Sequence, residues 1–218
     1  MAQVPAEAPI DCPQCPRLVA FREANRRAEP SWHNGAVASF GEADARLLIV
    51  GLAPGLRGAN RTGRPFTGDF AGDLLYATLI ELGLARGTYA ARPDDGLELV
   101  GCMITNAVRC VPPENKPTPA EIAACRPFLA ARIAALPRLA AILALGRIAH
   151  DSTLAALGLR RNSYPFAHGA RHRLREAPSS LVLFDSFHCS RYNTNTGKLT
   201  PAMFRAVLQE VRDHLKAG

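Results

Sequence analysis

The sequence has 218 residues, 48% of them apolar, which suits one globular domain with a buried core. It has no apolar run of the roughly 18 residues that a membrane helix needs, and its first residues lack the pattern of a secretory signal. We therefore expect a cytoplasmic protein without a membrane anchor. The net charge of +7 is compatible with a polyanionic partner, although a basic surface without function has the same composition.

Four short apolar segments predict buried strands, at residues 46–51, 97–108, 139–145 and 181–185. Helical spacing of apolar residues predicts helices at residues 69–84, 118–136, 146–157 and 200–216. In the segment Thr118-Pro-Ala-Glu121 the proline suits the first helical position, and Thr118 and Glu121 form a capping box. Strand and helix alternate, and the strands are apolar on both faces. This pattern predicts a three-layer α/β/α sandwich around a four-stranded, mostly parallel sheet.

Three loops follow predicted strands, at residues 52–68, 105–117 and 186–199. In open α/β sheets ligands bind beyond the carboxyl ends of the strands, so we expect these loops to meet at one site. Basic residues cluster later, at Arg160, Arg161 and within 168–175. This cluster is typical of a surface that faces phosphates.

The six cysteines are at positions 12, 15, 102, 110, 125 and 189. Structural disulfides are not expected in a reducing compartment. Cys12 and Cys15 form a C-x2-C pair, and Cys110 and Cys125 form a second pair. Four thiolates from two segments are typical of a zinc ion or a [4Fe–4S] cluster, and spacing alone does not choose between them. The alternative is a set of buried thiols that pack as small hydrophobes, as we expect for Cys102; Cys189 is left out of the metal set.

Three segments together resemble the uracil-DNA glycosylase superfamily, and within it the iron–sulfur family called family 5. They are Gly51-Leu-Ala-Pro-Gly55 continuing to Arg64-Pro-Phe-Thr-Gly68, Thr105-Asn-Ala-Val-Arg-Cys110 with the prolines up to 117, and Phe187-His-Cys-Ser-Arg191 continuing to Leu199. With the four cysteines, the resemblance covers residues 12–199. Each motif is weak alone, but their order is specific as a set.

The resemblance implies a single domain, residues 1–218, whose N-terminal segment is pinned by a structural [4Fe–4S] cluster rather than by zinc. It implies a monofunctional glycosylase, active as a monomer, that flips uracil out of DNA and hydrolyses its N-glycosidic bond. The product is an abasic site in base-excision repair.

The resemblance also assigns roles within the pocket. Phe66 would stack on the flipped base, and Asn106 would read its Watson–Crick edge through an amide that both donates and accepts. His188 would donate a hydrogen bond to O2 of the departing uracil anion. Backbone N–H groups from Gly51 to Ala53 would add to the anion site. Without the resemblance, a core Phe, a turn-forming Asn and a structural His are the ordinary interpretations.

The first motif departs from other members of the superfamily, which carry an acidic or polar residue there to activate water. Here the stretch from Leu52 to Pro54 is apolar. We expect Asp73 to take this role, with Asp69 as the second candidate, although either could simply be an acid at a helix N-terminus. The apolar motif also suggests a less selective pocket that accepts other deaminated bases such as hypoxanthine.

Arg191 and Tyr192 are expected to contact DNA, entering the minor groove at the vacated position. An ordinary hairpin before the last helix is the alternative. Two other functions remain open from the residues alone. The Gly-rich loop 51–63 suits a nucleotide- or phosphate-binding enzyme, although the common phosphate-loop motifs are absent. A non-catalytic, metal-stapled DNA-binding module would explain the charge and the cysteines.

Overall fold

A mixed sheet forms the centre of the protein, and the computed structural model describes residues 5–175 and 180–217. The strands are β1 (Phe40–Gly41), β2 (Leu47–Gly51), β3 (Ala85–Arg86), β4 (Glu98–Leu99), β5 (Cys102–Asn106), β6 (Ala141–Leu145), β7 (Arg171–Arg175) and β8 (Leu181–Ser186). The helices are α1 (Pro16–Ala28), α2 (Ala59–Thr62), α3 (Phe70–Glu81), α4 (Pro119–Ala134), α5 (Arg147–Ala156), α6 (Arg191–Asn195) and α7 (Pro201–Ala217). Short 3₁₀ turns lie at Pro113–Asn115 and Arg161–Ser163.

The main sheet has six strands in the order β1-β5-β2-β6-β8-β7. Its four inner strands are parallel, and β1 and β7 pair antiparallel at the two edges. The prediction of four strands is therefore wrong by two edge strands. One of them has only two residues, and the other alternates with arginines, so neither carries an apolar signal. The predicted strand 97–108 divides into β4, which pairs with β3 in a separate ribbon, and β5.

Successive residues of the inner strands face opposite layers, as the pleat of a strand requires. Leu47 and Ile49 of β2 pack in one apolar cluster with residues of α3 and α7. Leu48 and Val50 pack in a second cluster with residues of α4 and α5. All five residues of β2 are buried. The predicted α/β fold with a layer of helices on each face is confirmed.

The capping box at the start of α4 is present. The Thr118 hydroxyl accepts from the backbone N–H of Glu121, and the Glu121 carboxylate accepts from the backbone N–H of Thr118 at 2.7 Å. Glu121 also accepts two hydrogen bonds from Arg17, at 2.8 and 2.7 Å. Because Arg17 is in the first turn of α1, this pair ties α1 to α4. The helix α1 itself was not predicted from the sequence.

The basic segment near residue 170 forms β7, on the outer edge of the sheet beside β8. Arg160 and Arg161 are exposed at the 3₁₀ turn that precedes it. Within the described ranges, none of the helices combines the length and the apolarity needed to cross a bilayer.

Candidate active site

A cleft of about 710 Å³ opens at the edge of the sheet where β2, β5 and β8 end. Residues from all three predicted loops line it, so the loops do converge on one site. Six candidate site residues from the sequence line the cleft: Ala53, Phe66, Asp69, Asn106, His188 and Arg191. A cleft of this size is within the range of small-molecule pockets.

Phe66 lies in the wall of the cleft with its backbone in the left-handed region, at φ 52°. A bulky residue rarely adopts this conformation, and such strain persists only where neighbouring structure enforces it. The Tyr89 hydroxyl donates to the Phe66 carbonyl at 3.2 Å, and the Tyr76 hydroxyl donates to the Pro65 carbonyl at 2.6 Å. Gly72 permits the close approach of α3, because a Cβ there would lie 1.8 Å from the Phe66 carbonyl oxygen.

A buried ion pair fixes the turn that carries Phe66. Both carboxylate oxygens of Asp95 accept from the Arg64 guanidinium at 2.8 Å, and the Asp95 side chain is fully buried. Hydrogen bonding by Arg64 holds the pKa of the Asp95 carboxyl well below its usual range. The guanidinium also packs over the rings of Tyr76 and Tyr89. The turn is therefore held by charge, by hydroxyl donors and by aromatic packing together.

Gly51 and Asn106 end neighbouring strands and are paired in the register of β2 with β5. Gly51 lies directly behind the cleft: a Cβ on it would lie 2.4 Å from Asn106 Oδ1 and 2.7 Å from the Phe66 ring. Within the described residues, Oδ1 of Asn106 is buried and has no hydrogen-bond partner. An unpaired buried acceptor is costly, so this oxygen is free for a ligand that donates.

His188 follows β8 and faces Phe66 across the cleft. Their ring centroids lie 5.9 Å apart and the rings are close to parallel, at 27°. Burial lowers the pKa of His188 to about 4, so its imidazole is neutral at physiological pH. The Asn193 amide donates to the His188 carbonyl at 2.8 Å and fixes the backbone. A neutral imidazole can donate one hydrogen bond without delivering a full charge.

The two acidic candidates occupy different places on α3. Asp69 lines the cleft and caps the helix, accepting from the backbone N–H of Gly72 at 3.2 Å. Its carboxylate packs against Gly55 and Gly58, where Cβ atoms would lie 2.9 and 2.2 Å from Oδ2. Burial raises the pKa of Asp69. Asp73, which the sequence analysis placed first, is exposed and is not among the residues lining the cleft.

The loop after His188 is helical rather than a hairpin. Ser190 caps α6 by accepting from the backbone N–H of Asn193. Arg191 lines the cleft, with its guanidinium 5.3 Å from the centre of the Phe70 ring. Tyr192 projects outward and is 75% exposed. The two residues expected to contact DNA thus lie at the rim, one turned toward the cleft and one toward solvent.

The four predicted metal ligands surround one small cavity: Cys12, Cys15, Cys110 and Cys125. Cys15 directly precedes the first residue of α1, and Cys125 lies within α4. The backbone N–H of Arg109 donates to the Cys125 sulfur at 3.3 Å. Apolar side chains of Leu18, Val108 and Phe128 enclose the cavity. Cys102 and Cys189 are fully buried in the main core and lie outside it.

The four sulfurs are more widely spaced than a single ion requires. Tetrahedral zinc with Zn–S bonds of about 2.3 Å places its sulfurs about 3.8 Å apart. In the described part of the chain, the only group of three or more possible ligand atoms within 4.8 Å of one another is His150, His172 and Asp185. No three of the four cysteine sulfurs therefore lie within 4.8 Å of one another.

The group of His150, His172 and Asp185 does not suit a metal, because both ring nitrogens of His150 carry protons. Nδ1 of His150 lies 2.8 Å from the Asp185 carboxylate, and Nε2 lies 2.8 Å from the Tyr164 carbonyl. Both neighbours are acceptors, so both ring nitrogens must donate. Burial alone would lower the pKa of His150, but the hydrogen bond and charge of Asp185 raise it. No lone pair on this ring remains for a metal.

The N-terminal segment is also fastened by a buried arginine. Arg109 is 1% exposed and donates to the Glu7 carboxylate at 3.0 Å and to the Ser39 hydroxyl at 2.9 Å. Glu7 pairs with Arg132 of α4 as well. Sequence reasoning missed this group and the Arg64–Asp95 pair. Each joins residues distant in sequence, and no local pattern marks such partners.

The comparisons with known proteins agree with this geometry. A family model described as the uracil DNA glycosylase superfamily matches residues 38–212. A type-5 uracil-DNA glycosylase of Thermus thermophilus is 48% identical over 207 residues, which cover 92% of each chain. The type-5 enzyme of Mycobacterium tuberculosis is 41% identical over 210 residues, covering 92% of this chain and 77% of the relative. That of Pyrobaculum aerophilum is 38% identical over 205 residues, covering 92% and 87%. The chain therefore belongs to the uracil DNA glycosylase superfamily and, within it, to the type-5 uracil-DNA glycosylases.

Proposed function

We propose that this protein is a monofunctional uracil-DNA glycosylase that hydrolyses the N-glycosidic bond of a flipped base and leaves an abasic site. One observation carries the proposal: Phe66, the free acceptor of Asn106 and the neutral imidazole of His188 meet in one cleft at the ends of β2, β5 and β8. Stacking surface, base-reading amide and hydrogen-bond donor are the three parts that base excision requires.

Recognition of the base follows from the walls of the cleft. The Phe66 ring stacks on the pyrimidine, and the strained backbone holds that ring in one orientation. Oδ1 of Asn106 accepts from N3–H of uracil, while the amide N–H donates to O4. Gly51 keeps the space beside both residues open. Cytosine has no N3–H and carries an amino group in place of O4, so it is rejected by the same amide.

The chemistry requires that negative charge on the leaving uracil be stabilised. As the glycosidic bond breaks, charge develops on O2, and the neutral His188 imidazole donates a hydrogen bond to it. One donor of this kind contributes about 3 to 4 kcal/mol to transition-state stabilisation. Backbone N–H groups near Ala53 support the same anion. No proton transfer from His188 is needed, which suits an imidazole with a pKa of about 4.

We propose Asp69, rather than Asp73, as the carboxylate that positions the attacking water and stabilises positive charge on the sugar. Its support is its place in the cleft wall and its fixed orientation at the cap of α3. A carboxylate held against glycines has little freedom to turn away. The exposed Asp73 serves as the matched control, because it is a second acid on the first turn of the same helix.

The apolar wall at Leu52 and Ala53 supports a pocket with broad specificity. A wall without polar groups imposes no hydrogen-bond requirement that a larger deaminated base would violate. We therefore propose that hypoxanthine is also excised. On the DNA side, Arg191 contacts phosphate and the exposed Tyr192 enters the minor groove beside the vacated position.

We propose that Cys12, Cys15, Cys110 and Cys125 hold a [4Fe–4S] cluster. The fit rests on four thiols around one apolar cavity and on a backbone N–H donated to one of the sulfurs. When bound, the cluster would supply a structural cross-link between the N-terminal segment and α4. We further propose that the enzyme acts as a monomer in the cytoplasm, where thiols stay reduced.

The activity is tested with labelled duplexes that carry one uracil or one hypoxanthine, followed by alkaline cleavage of abasic sites. The wild type is expected to cleave both, and Phe66→Ala and His188→Ala to lose most of the product. If neither substrate yields an abasic product while iron is bound, a non-catalytic DNA-binding module becomes the better account. Iron and acid-labile sulfide assays test the cluster, and zinc without iron would contradict it.

A further inference from the structure

The turn before His188 is contacted by a second histidine that lies outside the cleft. The backbone N–H of Phe187 donates to Nδ1 of His168 at 3.2 Å. The two rings also stack, with centroids 5.0 Å apart and an interplanar angle of 20°. His168 is not among the residues that line the cleft, so it does not touch the base.

This hydrogen bond fixes the protonation state of His168. A backbone N–H only donates, so Nδ1 must present its lone pair and the ring proton must be on Nε2. Burial lowers the pKa of His168, which favours the same neutral form. The imidazole therefore serves as an acceptor of fixed tautomer.

Other groups hold the same turn as well, and one of them, the Ser186 hydroxyl, lies 3.5 Å from Nδ1 of His168. The Ser186 hydroxyl donates to the Phe187 carbonyl at 2.9 Å, and the Asn193 amide donates to the His188 carbonyl at 2.8 Å. The ammonium of Lys198 lies 4.9 Å from the centre of the Phe187 ring. His168 accepts the hydrogen bond from the Phe187 N–H, one residue before the catalytic imidazole of His188.

We propose that His168 is a positioning residue for excision, which holds the backbone before His188 so that the His188 imidazole meets O2 of the leaving base. The inference rests on the role proposed for His188 above. An error of about 1 Å in the placement of a catalytic group can lower a rate by about a hundredfold. Loss of one hydrogen bond in a turn held by several others should have a smaller effect, in the range of about tenfold.

Two variants separate the acceptor from the packing of the ring. His168→Phe keeps a ring that can stack on Phe187 but removes the acceptor. His168→Asn removes the ring but places Oδ1 near the position of Nδ1, so it keeps an acceptor. The control is His214→Phe, which replaces a partly buried imidazole on α7, away from the cleft.

The experiment uses the enzyme with its cluster intact. Single-turnover rates are measured on a uracil duplex at saturating enzyme, together with the Kd for a duplex that carries the uncleavable 2′-fluoro-2′-deoxyuridine. His168→Phe is expected to lower the rate about tenfold and to change Kd less than about twofold. His168→Asn is expected to stay within about threefold of the wild-type rate, and His214→Phe is expected to match the wild type.

The outcomes distinguish the inference from the function on which it rests. A wild-type rate in His188→Ala would refute the role of His188 itself. A slow His188→Ala beside a fast His168→Phe would refute only the positioning role. An Asn variant as slow as the Phe variant would also overturn it, because an acceptor at this position would then not preserve the rate. Should His168→Phe fail to fold, His168→Leu takes its place with the same expectation.

Discussion

Replacing Asp95 by Asn tests whether the buried ion pair holds the turn that carries Phe66. In the folded protein the Asp95 carboxylate accepts four hydrogen bonds. Two come from Arg64 at 2.8 Å, and two come from the backbone N–H groups of Ala90 and Leu97 at 2.9 and 3.1 Å. Asparagine has one acceptor oxygen, and its amino group would face donors. The variant therefore leaves the Arg64 guanidinium, whose side chain is 6% exposed, without its counter-charge.

Loss of one partner from a buried pair costs about 3 to 5 kcal/mol. We take about 3 kcal/mol, because the loop around Asp95 is close to solvent and water can replace part of the pairing. For a chain of this size, each kcal/mol shifts Tm by about 2 to 4 °C, so the expected loss is about 6 to 12 °C. The excision rate should fall as well, because the ion pair is one of the contacts that hold Phe66 in its strained backbone conformation.

The assay is thermal unfolding of the enzyme with its cluster, beside single-turnover excision. Asp94→Asn is the matched control, because it removes the same charge one residue earlier from a side chain that is 78% exposed. The depressed pKa of Asp95 predicts that the difference from wild type persists at neutral pH and closes only as the pH falls below about 4. Equal melting temperatures for Asp95→Asn and Asp94→Asn would refute the reasoning.

Three further predictions follow from the cleft. Gly51→Ala should slow excision at least about tenfold, because its Cβ would displace both Asn106 and Phe66 and overpacking costs about 1 to 3 kcal/mol. An unchanged rate would show that these side chains can shift without loss of activity. Asp69→Asn should slow single-turnover excision about a hundredfold with product-DNA affinity retained, while Asp73→Asn stays near the wild type, and the reverse order would restore Asp73 as the catalytic acid. Because burial lowers the pKa of His188 to about 4, the unfolded chain binds a proton there that the folded chain does not bind between about pH 6.5 and 4. As the pH is lowered through that window, urea unfolding should show a falling free energy of unfolding, and the fall should be less steep in His188→Ala. Equal slopes in the two proteins would contradict the assignment.

Much of the fold could be predicted because its determinants are local. The apolar run that forms β2 and the capping box that starts α4 both act within a few residues. The edge strands could not be predicted in this way. β1 is too short to show a period, and β7 is stabilised by pairing with β8 rather than by apolar residues of its own.

In the candidate site, too, residues at strand ends could be predicted, whereas those fixed by tertiary packing could not. The strand ends and the family resemblance were sufficient to bring Phe66, Asn106 and His188 together. The choice between Asp69 and Asp73 was not accessible, because it depends on which acid caps α3 and therefore faces inward. The contact of His168 with Phe187 depends on where a loop packs in three dimensions, which no spacing in the sequence records.

The edges of the sheet have a consequence for how the protein behaves among other chains. An edge strand presents unpaired N–H and C=O groups, which invite any extended chain to add itself to the sheet. Here β1 offers only two residues, and β7 carries exposed arginines at positions 171, 173 and 175. A short edge gives an incoming strand little to pair with, and a charged one makes its approach unfavourable. Replacing those arginines with apolar residues would open the sheet to edge-to-edge aggregation without altering the cleft.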